Sequence, residues 1–308
     1  MAASKTMKSE RLREAFLVRR LRNPEEIRAL LLPHRRYTAY GLAQLESPLF
    51  EQSEWWLAED GVAGALLMHS RGGLGHALLA LGDEIALYAL LSLHPGPVYS
   101  FATAELGHAG VMRHFFSLAQ KQPMQRMVVD GRTFVAPSRT EMPEAELRCL
   151  SSKDTPAVNL LNRSEAEGIS YRKSQIRDGM YFGVFLDGVL VAMAGTHGIA
   201  RSERIAVLGN VFTHPAYRNS HFALLATGAV TRELLEGCDE VVLSVNPRNA
   251  AAVSVYQRLG YRHDSDLIET AVTRRDSLGL TSLARRLLAR WRGRESGREL
   301  VYSPARHG

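Results

Sequence analysis

The residues best able to do chemistry sit close together in the C-terminal half of this 308-residue chain. Arg218-Asn219-Ser220-His221-Phe222-Ala223 joins an apolar stretch ending at Thr213 to a helix expected over residues 222–236. Backbone N–H groups at a helix start have no intrahelical acceptor and carry the positive end of the dipole, so such a turn attracts anions, and Arg218 adds a formal charge. A diphosphate suits it. The same residues also read as an ordinary capped turn, with Asn219 or Ser220 closing the helix and Arg218 in solvent. Further on, Tyr256 falls in a helix expected over residues 249–259. A phenol with a pKa near 10 can give up a proton to a leaving group at neutral pH, and it can equally be a half-buried packing residue.

The residues around this turn follow a longer pattern. Val211-Phe212-Thr213-His214-Pro215 precedes it, and residues 245–261 read V-N-P-x-N-x-x-A-x-x-x-Y-x-x-L-G-Y. On these blocks the stretch from Gly209 through Arg262 resembles the GNAT acyltransferase superfamily, and the resemblance extends over residues 147–271. More weakly, the whole chain resembles two-module members in which a degenerate GNAT-like half precedes the catalytic one.

The resemblance implies an α+β fold with a mixed, mostly antiparallel sheet flanked by helices. It also implies acetyl-CoA as acyl donor and a primary amine, on a small molecule or a protein, as acceptor. The backbone of Val211, Phe212 and Thr213 would hold the pantetheine arm, Arg218, Asn219, Ser220, His221, Phe222 and Ala223 the pyrophosphate, and Asn249 the cofactor arm. Tyr256 would protonate the departing thiolate. Two departures stand out. His221 replaces the first glycine of the loop, where a missing Cβ lets backbone approach phosphate. Asn210 occupies the strand position where relatives often carry a carboxylate base, which leaves His197 and His214 as candidate bases and neither assigned. The alternative reading is a non-catalytic GNAT-fold binding or regulatory module with an impaired CoA loop.

Periodicity and turn signals supply the elements that must position these groups. Asn23 caps a helix starting Pro24-Glu25-Glu26, a second helix covers residues 37–45, and strands are expected at 54–57, 63–69, 98–102 and 125–129. Residues 83–93 and 108–119 read as helices, and the glycine-rich Gly72-Gly73-Leu74-Gly75 as a turn. In the second half, strands are expected at 147–150, 204–213, 240–245 and 261–271, and helices at 155–162 and 171–177. Strands at 180–186 and 189–197 turn at Asp187-Gly188, a strong hairpin signal. The proline-containing residues 136–146 suit a linker, so the expected modules are 1–146, 147–273 and a tail, 274–308.

Composition narrows the class. At 45% hydrophobic the chain can bury two ordinary cores. Its two cysteines, Cys149 and Cys238, form neither a metal-ligand pattern nor a disulfide framework, so no metal site is expected and a reducing, cytoplasmic setting fits. The longest apolar run, residues 85–93, is too short for a transmembrane segment. From Arg274 onward nine arginines face three acids, a balance of +6 that equals the charge of the whole chain. The high pI therefore belongs to the tail. There Leu280, Leu283, Ala284, Leu287, Leu288 and Trp291 recur at helical spacing, with Arg285, Arg286, Arg290 and Arg292 mainly off the stripe. This basic amphipathic helix is expected to dock by its apolar face on its own domain with its arginines solvated; an anionic membrane, a partner or RNA is the alternative.

Overall fold

The computed structural model describes residues 15–71, 75–120, 122–138, 145–164, 170–292 and 300–302. Gly72 to Leu74 of the expected glycine-rich turn, residues 139–144 of the expected linker and the side chain of Trp291 lie outside that set. The first half forms β1 (Phe16–Leu21), α1 (Pro24–Leu31), α2 (Ala39–Ala43), β2 (Ser53–Glu59), β3 (Gly64–Ser70), β4 (Ala77–Gly82), α3 (Glu84–Leu93), β5 (Tyr99–Glu105), α4 (Ala109–Phe115), β6 (Phe116–Leu118) and β7 (Met124–Asp130). The second forms β8 (Glu146–Cys149), α5 (Thr155–Asn162), α6 (Lys173–Asp178), β9 (Tyr181–Leu186), β10 (Val189–Ala200), β11 (Ile205–Thr213), α7 (Phe222–Gly237), β12 (Glu240–Val245), α8 (Ala250–Arg258), β13 (Arg262–Arg274), α9 (Leu280–Arg292) and β14 (Leu300–Tyr302).

Local chemistry accounts for many of the boundaries. The Asn23 side chain accepts from Glu25 N–H at the start of α1, and that of Asn249 accepts from Ala252 N–H at the start of α8. Asp187 and Gly188 both take positive φ, which gives the β9–β10 turn the twist a two-residue hairpin needs. The helix expected over residues 108–119 stops at Phe115, because 116–118 pair with β13 instead.

The chain forms two compact units, and their borders differ from the expected ones. One comprises Met1–Pro33, Ser47–Pro123 and Asp266–Gly308, the other His34–Glu46 and Met124–Ser265. The expected borders at 146 and 273 fall inside these units because each half contributes strands to the other half's sheet. β7 pairs antiparallel with β12, and β13 with β5.

In the first unit the strands run β14-β1-β2-β3-β4-β5-β13, with β4 and β5 parallel and joined through α3. Ile85, Leu87, Leu90, Leu91 and Leu93 of α3 pack with Phe16, Leu67, Leu78 and Phe116 in one core. Helix α9 belongs to this unit, but it docks by the face opposite to the expected one: Ser282 and Ala289 are buried, while Leu280, Leu283, Leu287 and Leu288 are exposed.

In the second unit the order is β7-β12-β11-β10-β9-β8, again with one parallel pair, β11 and β12, joined through α7. Its core gathers Val191, Leu208, Leu225, Val230, Leu243 and Leu259. The segment 34–46 is held here by charge. Arg35 and Arg36 both donate to the buried Glu240 carboxylate, and Arg36 also reaches Asp264 at 2.9 Å. The carboxylates on either side hold the Arg36 guanidinium pKa above its usual value. Both units thus repeat one succession: hairpin, parallel crossover through a long helix, then a short helix.

Candidate functional site

The parallel pair β11 and β12 opens along its length. Ile205, Ala206 and Val207 pair with Glu240, Val241 and Val242, but beyond Val207 the β11 residues pair only with β10, while Leu243 to Val245 pair with β7. From Leu208 on, the edge of β11 that faces β12 therefore offers unpaired backbone groups to whatever enters the cleft. On the β10 side, three residues (Met193 to Gly195) face four on β11 (Gly209 to Phe212), and Asn210 sits in this bulge at φ 53°. A bulge bends its strand and sharpens the twist, which widens the opening.

Asn210 is held by a full set of hydrogen bonds. Its Nδ2 donates to the Thr196 carbonyl at 3.3 Å and to the Tyr181 hydroxyl at 3.1 Å. Because a carbonyl can only accept, the amide orientation is determined, and Oδ1 then accepts from the Tyr171 hydroxyl at 2.8 Å and from His197 Nε2 at 3.3 Å. Two glycines admit the rings: a Cβ on Gly195 would stand 2.1 Å from Tyr181, and one on Gly209 2.3 Å from His197. Asn210 thus anchors the bulge and has no lone pair suited to act as a base. His214 is engaged as well, its Nδ1 accepting from Ala216 N–H in the turn after β11.

Beyond that turn, Asn219 and His221 both take left-handed backbone, at φ 64° and 58°. His221 thus adopts the conformation a glycine would allow without strain, at a cost of roughly 1–2 kcal/mol for a residue with a Cβ. Its Nδ1 accepts from Arg258 at 2.9 Å, so the ring proton resides on Nε2. The helix α7 that follows is sixteen residues long, and among the described residues no side chain caps its N-terminus. The first N–H groups of α7 therefore stand open beside His221, which is joined to Arg258, and three residues after Arg218. Phe222 is buried and pins the helix start to the core, whereas Arg218, Asn219, Ser220 and His221 are exposed.

Arg258 also draws α8 to this loop, and α8 carries Tyr256. The Tyr256 ring is buried edge-on to Tyr261, with centroids 5.9 Å apart, and its hydroxyl has no hydrogen-bond partner among the described residues. Burial pushes its pKa up to about 12, so it stays protonated at neutral pH. Val211, Phe212 and Thr213 are half-buried on β11, and Asn249 is exposed at the head of α8, its Oδ1 used as a cap. Tyr171 and Tyr181 lie within the expected helix 171–177 and strand 180–186, and the sequence alone assigns them no chemical role. Arg258 was missed too, although its place two residues after Tyr256 was a usable signal.

In the first unit the corresponding opening is filled. β4 and β5 pair from Ala77 to Leu79 and then diverge, and the buried His108 closes the gap, its Nε2 on the Gly82 carbonyl at 2.8 Å and its Nδ1 accepting from Glu105 N–H at 3.3 Å. A single residue, Asp83, separates β4 from α3, and its carboxylate caps Ile85 and Ala86 N–H. A helix start already holding a carboxylate repels a second anion. Among the described residues no cluster of His, Cys, Asp or Glu could hold a metal ion, and no helix is long and apolar enough to cross a membrane.

Comparison with known proteins agrees with this geometry. The model of the acetyltransferase (GNAT) family matches residues 146–261. No curated protein matches the chain. Among solved structures, a protein from Drosophila is similar at 14% identity and a TM-score of 0.61, over 83% of this chain and 97% of that one. A GCN5-related N-acetyltransferase from Kribbella flavida is similar at 18% identity and a TM-score of 0.54, over 78% and 95%. A tandem GNAT protein from the clavulanic acid biosynthesis pathway is similar at 14% identity and a TM-score of 0.52, over 84% and 98%. At these identities the likeness is one of fold.

Proposed function

Because residues 146–261 match the model of the acetyltransferase (GNAT) family, we propose that the protein is an N-acetyltransferase that moves an acetyl group from acetyl-CoA to a primary amine. The observation that supports this reading is the contrast between the two parallel strand pairs: β11 and β12 part after Val207 and lead to a helix start without a side-chain cap among the described residues, whereas His108 bridges the ends of β4 and β5 through Gly82 and Glu105. The pyrophosphate is received by the first N–H groups of α7 with Arg218, Asn219, Ser220, His221, Phe222 and Ala223, and Arg258 adds a second guanidinium to the loop. The free edge of β11 at Val211, Phe212 and Thr213 takes the pantetheine arm, with Asn249 beside it.

In the reaction, backbone N–H of the bulged strand donates to the thioester carbonyl and stabilises the oxyanion as the neutral amine attacks. Tyr256 protonates the sulfur as the C–S bond breaks, and the amine nitrogen loses its proton to solvent. No residue is needed as a covalent nucleophile. The alternative, a binding module without turnover, draws on His221 standing in place of a glycine and on Asn210 standing in place of a base.

Titration calorimetry separates the two. One acetyl-CoA per chain is expected to bind, with affinity falling about tenfold to a hundredfold in Arg218→Ala through loss of a charge-assisted hydrogen bond. Tyr256→Phe is expected to keep that affinity and to lower kcat by about 100-fold or more. Absence of binding in the wild type together with binding in His221→Gly would establish the non-catalytic module instead.

A further inference from the structure

Helix α9 is amphipathic by sequence and mounted the other way round. At 3.6 residues per turn Leu280, Leu283, Ala284, Leu287 and Leu288 share one side, and Ser282, Arg285, Arg286 and Ala289 the other. A surface helix ordinarily turns its apolar side to the core. Here Ser282 and Ala289 are only 4% and 1% exposed, and Arg285 and Arg286 are half-buried. Ala289 joins the core that contains Tyr302 of β14 and the leucines of α3. Leu280, Leu283, Leu287 and Leu288 stand 62%, 47%, 57% and 44% exposed. The buried Arg286 Nε has no hydrogen-bond partner among the described residues. Desolvating arginines while leaving four leucines in water is unfavourable on both counts unless the leucines are covered by something else.

We propose that the leucine face of α9 docks on the surface of an anionic lipid bilayer. Charge selects this occupant. The helix carries Arg285, Arg286, Arg290 and Arg292 and no acidic residue, and the chain from Arg274 onward has a balance of +6. A second copy laid on the same face would bring Arg290 and the basic chain that follows against their equals, whereas anionic headgroups at the border of the stripe neutralise Arg290 and the acyl boundary receives the leucines. Arg290 is exposed at the border of the leucine stripe, where a headgroup would lie. The helix is also too short and too charged to cross the bilayer, so it lies in the interface.

The test is sedimentation of the full-length protein with vesicles of phosphatidylcholine alone or mixed with phosphatidylserine. Binding to the mixed vesicles is expected, about tenfold or more weaker on phosphatidylcholine and in Leu283→Glu/Leu287→Glu, and weakened by salt. Both leucines are exposed, so the double variant is expected to retain the wild-type circular dichroism spectrum and acetyl-CoA affinity. Failure to bind the mixed vesicles, or equal binding by the double variant, would overturn the proposal. So would a dimer in sedimentation velocity that the double variant abolishes, since the face would then belong to a second copy. The readout is lipid binding, so it stands or falls independently of acetyl transfer.

Discussion

At the scale of the residue, Tyr256 and His221 show how burial and backbone set what a side chain can do. Burial pushes the Tyr256 and Tyr181 hydroxyls up to about 12 from the usual 10, which keeps Tyr256 a proton donor throughout the neutral range. The same shift has a consequence for stability. Below roughly pH 10 both the folded and unfolded chains hold these protons; between about 10 and 12 only the unfolded chain releases them, so folding stability is full below that window and is lost as pH rises through it. The loss amounts to about 1.4 kcal/mol per pH unit for each buried tyrosine. Urea unfolding midpoints measured across this range are expected to be flat and then to fall, less steeply in Tyr256→Phe. A slope unchanged in that variant would mean that the hydroxyl is not buried as described. His221 was legible only as a departure from glycine; its left-handed backbone and its bond to Arg258 came from the fold.

At the scale of the element, the decisive feature is the bulge in β11. Asn210 serves it in two ways, by tolerating φ 53° and by filling every hydrogen-bonding position of its amide. Glycine and alanine separate these roles. Both replacements lose the side-chain bonds, but only alanine also bears the left-handed strain, so Asn210→Ala is expected to be less stable than Asn210→Gly by about 1 kcal/mol. Chemical denaturation of the two proteins checks this. The opposite order would show that Asn210 does not hold the backbone open. Sequence periodicity placed β11, α7 and β12 to within a residue or two at most boundaries, because their apolar spacing is local information. It could not locate the bulge, since the extra residue exists only relative to a partner strand.

At the scale of the whole molecule, each half of the chain gives strands to the other half's sheet: β7 pairs with β12, β13 with β5 and β14 with β1. A fragment of residues 147–273 would lack β7, leaving β12 with an open edge, and would lack Arg35 and Arg36, leaving the buried Glu240 carboxylate unpaired. Such a fragment is expected to be insoluble or to lack a cooperative unfolding transition by circular dichroism. A fragment that unfolds cooperatively and binds acetyl-CoA would show instead that 147–273 is self-sufficient. What the sequence determined by itself was whatever depends on near neighbours: helix starts at Asn23 and Asn249, the Asp187-Gly188 turn, the loop from Arg218 to Ala223 with Tyr256 following, and the basic tail. The tertiary structure alone decided which strands pair, that His108 bridges the ends of one parallel pair while the other parts after Val207, and that α9 turns its leucines outward. Those outcomes depend on contacts between residues far apart in the chain, where periodicity carries no signal.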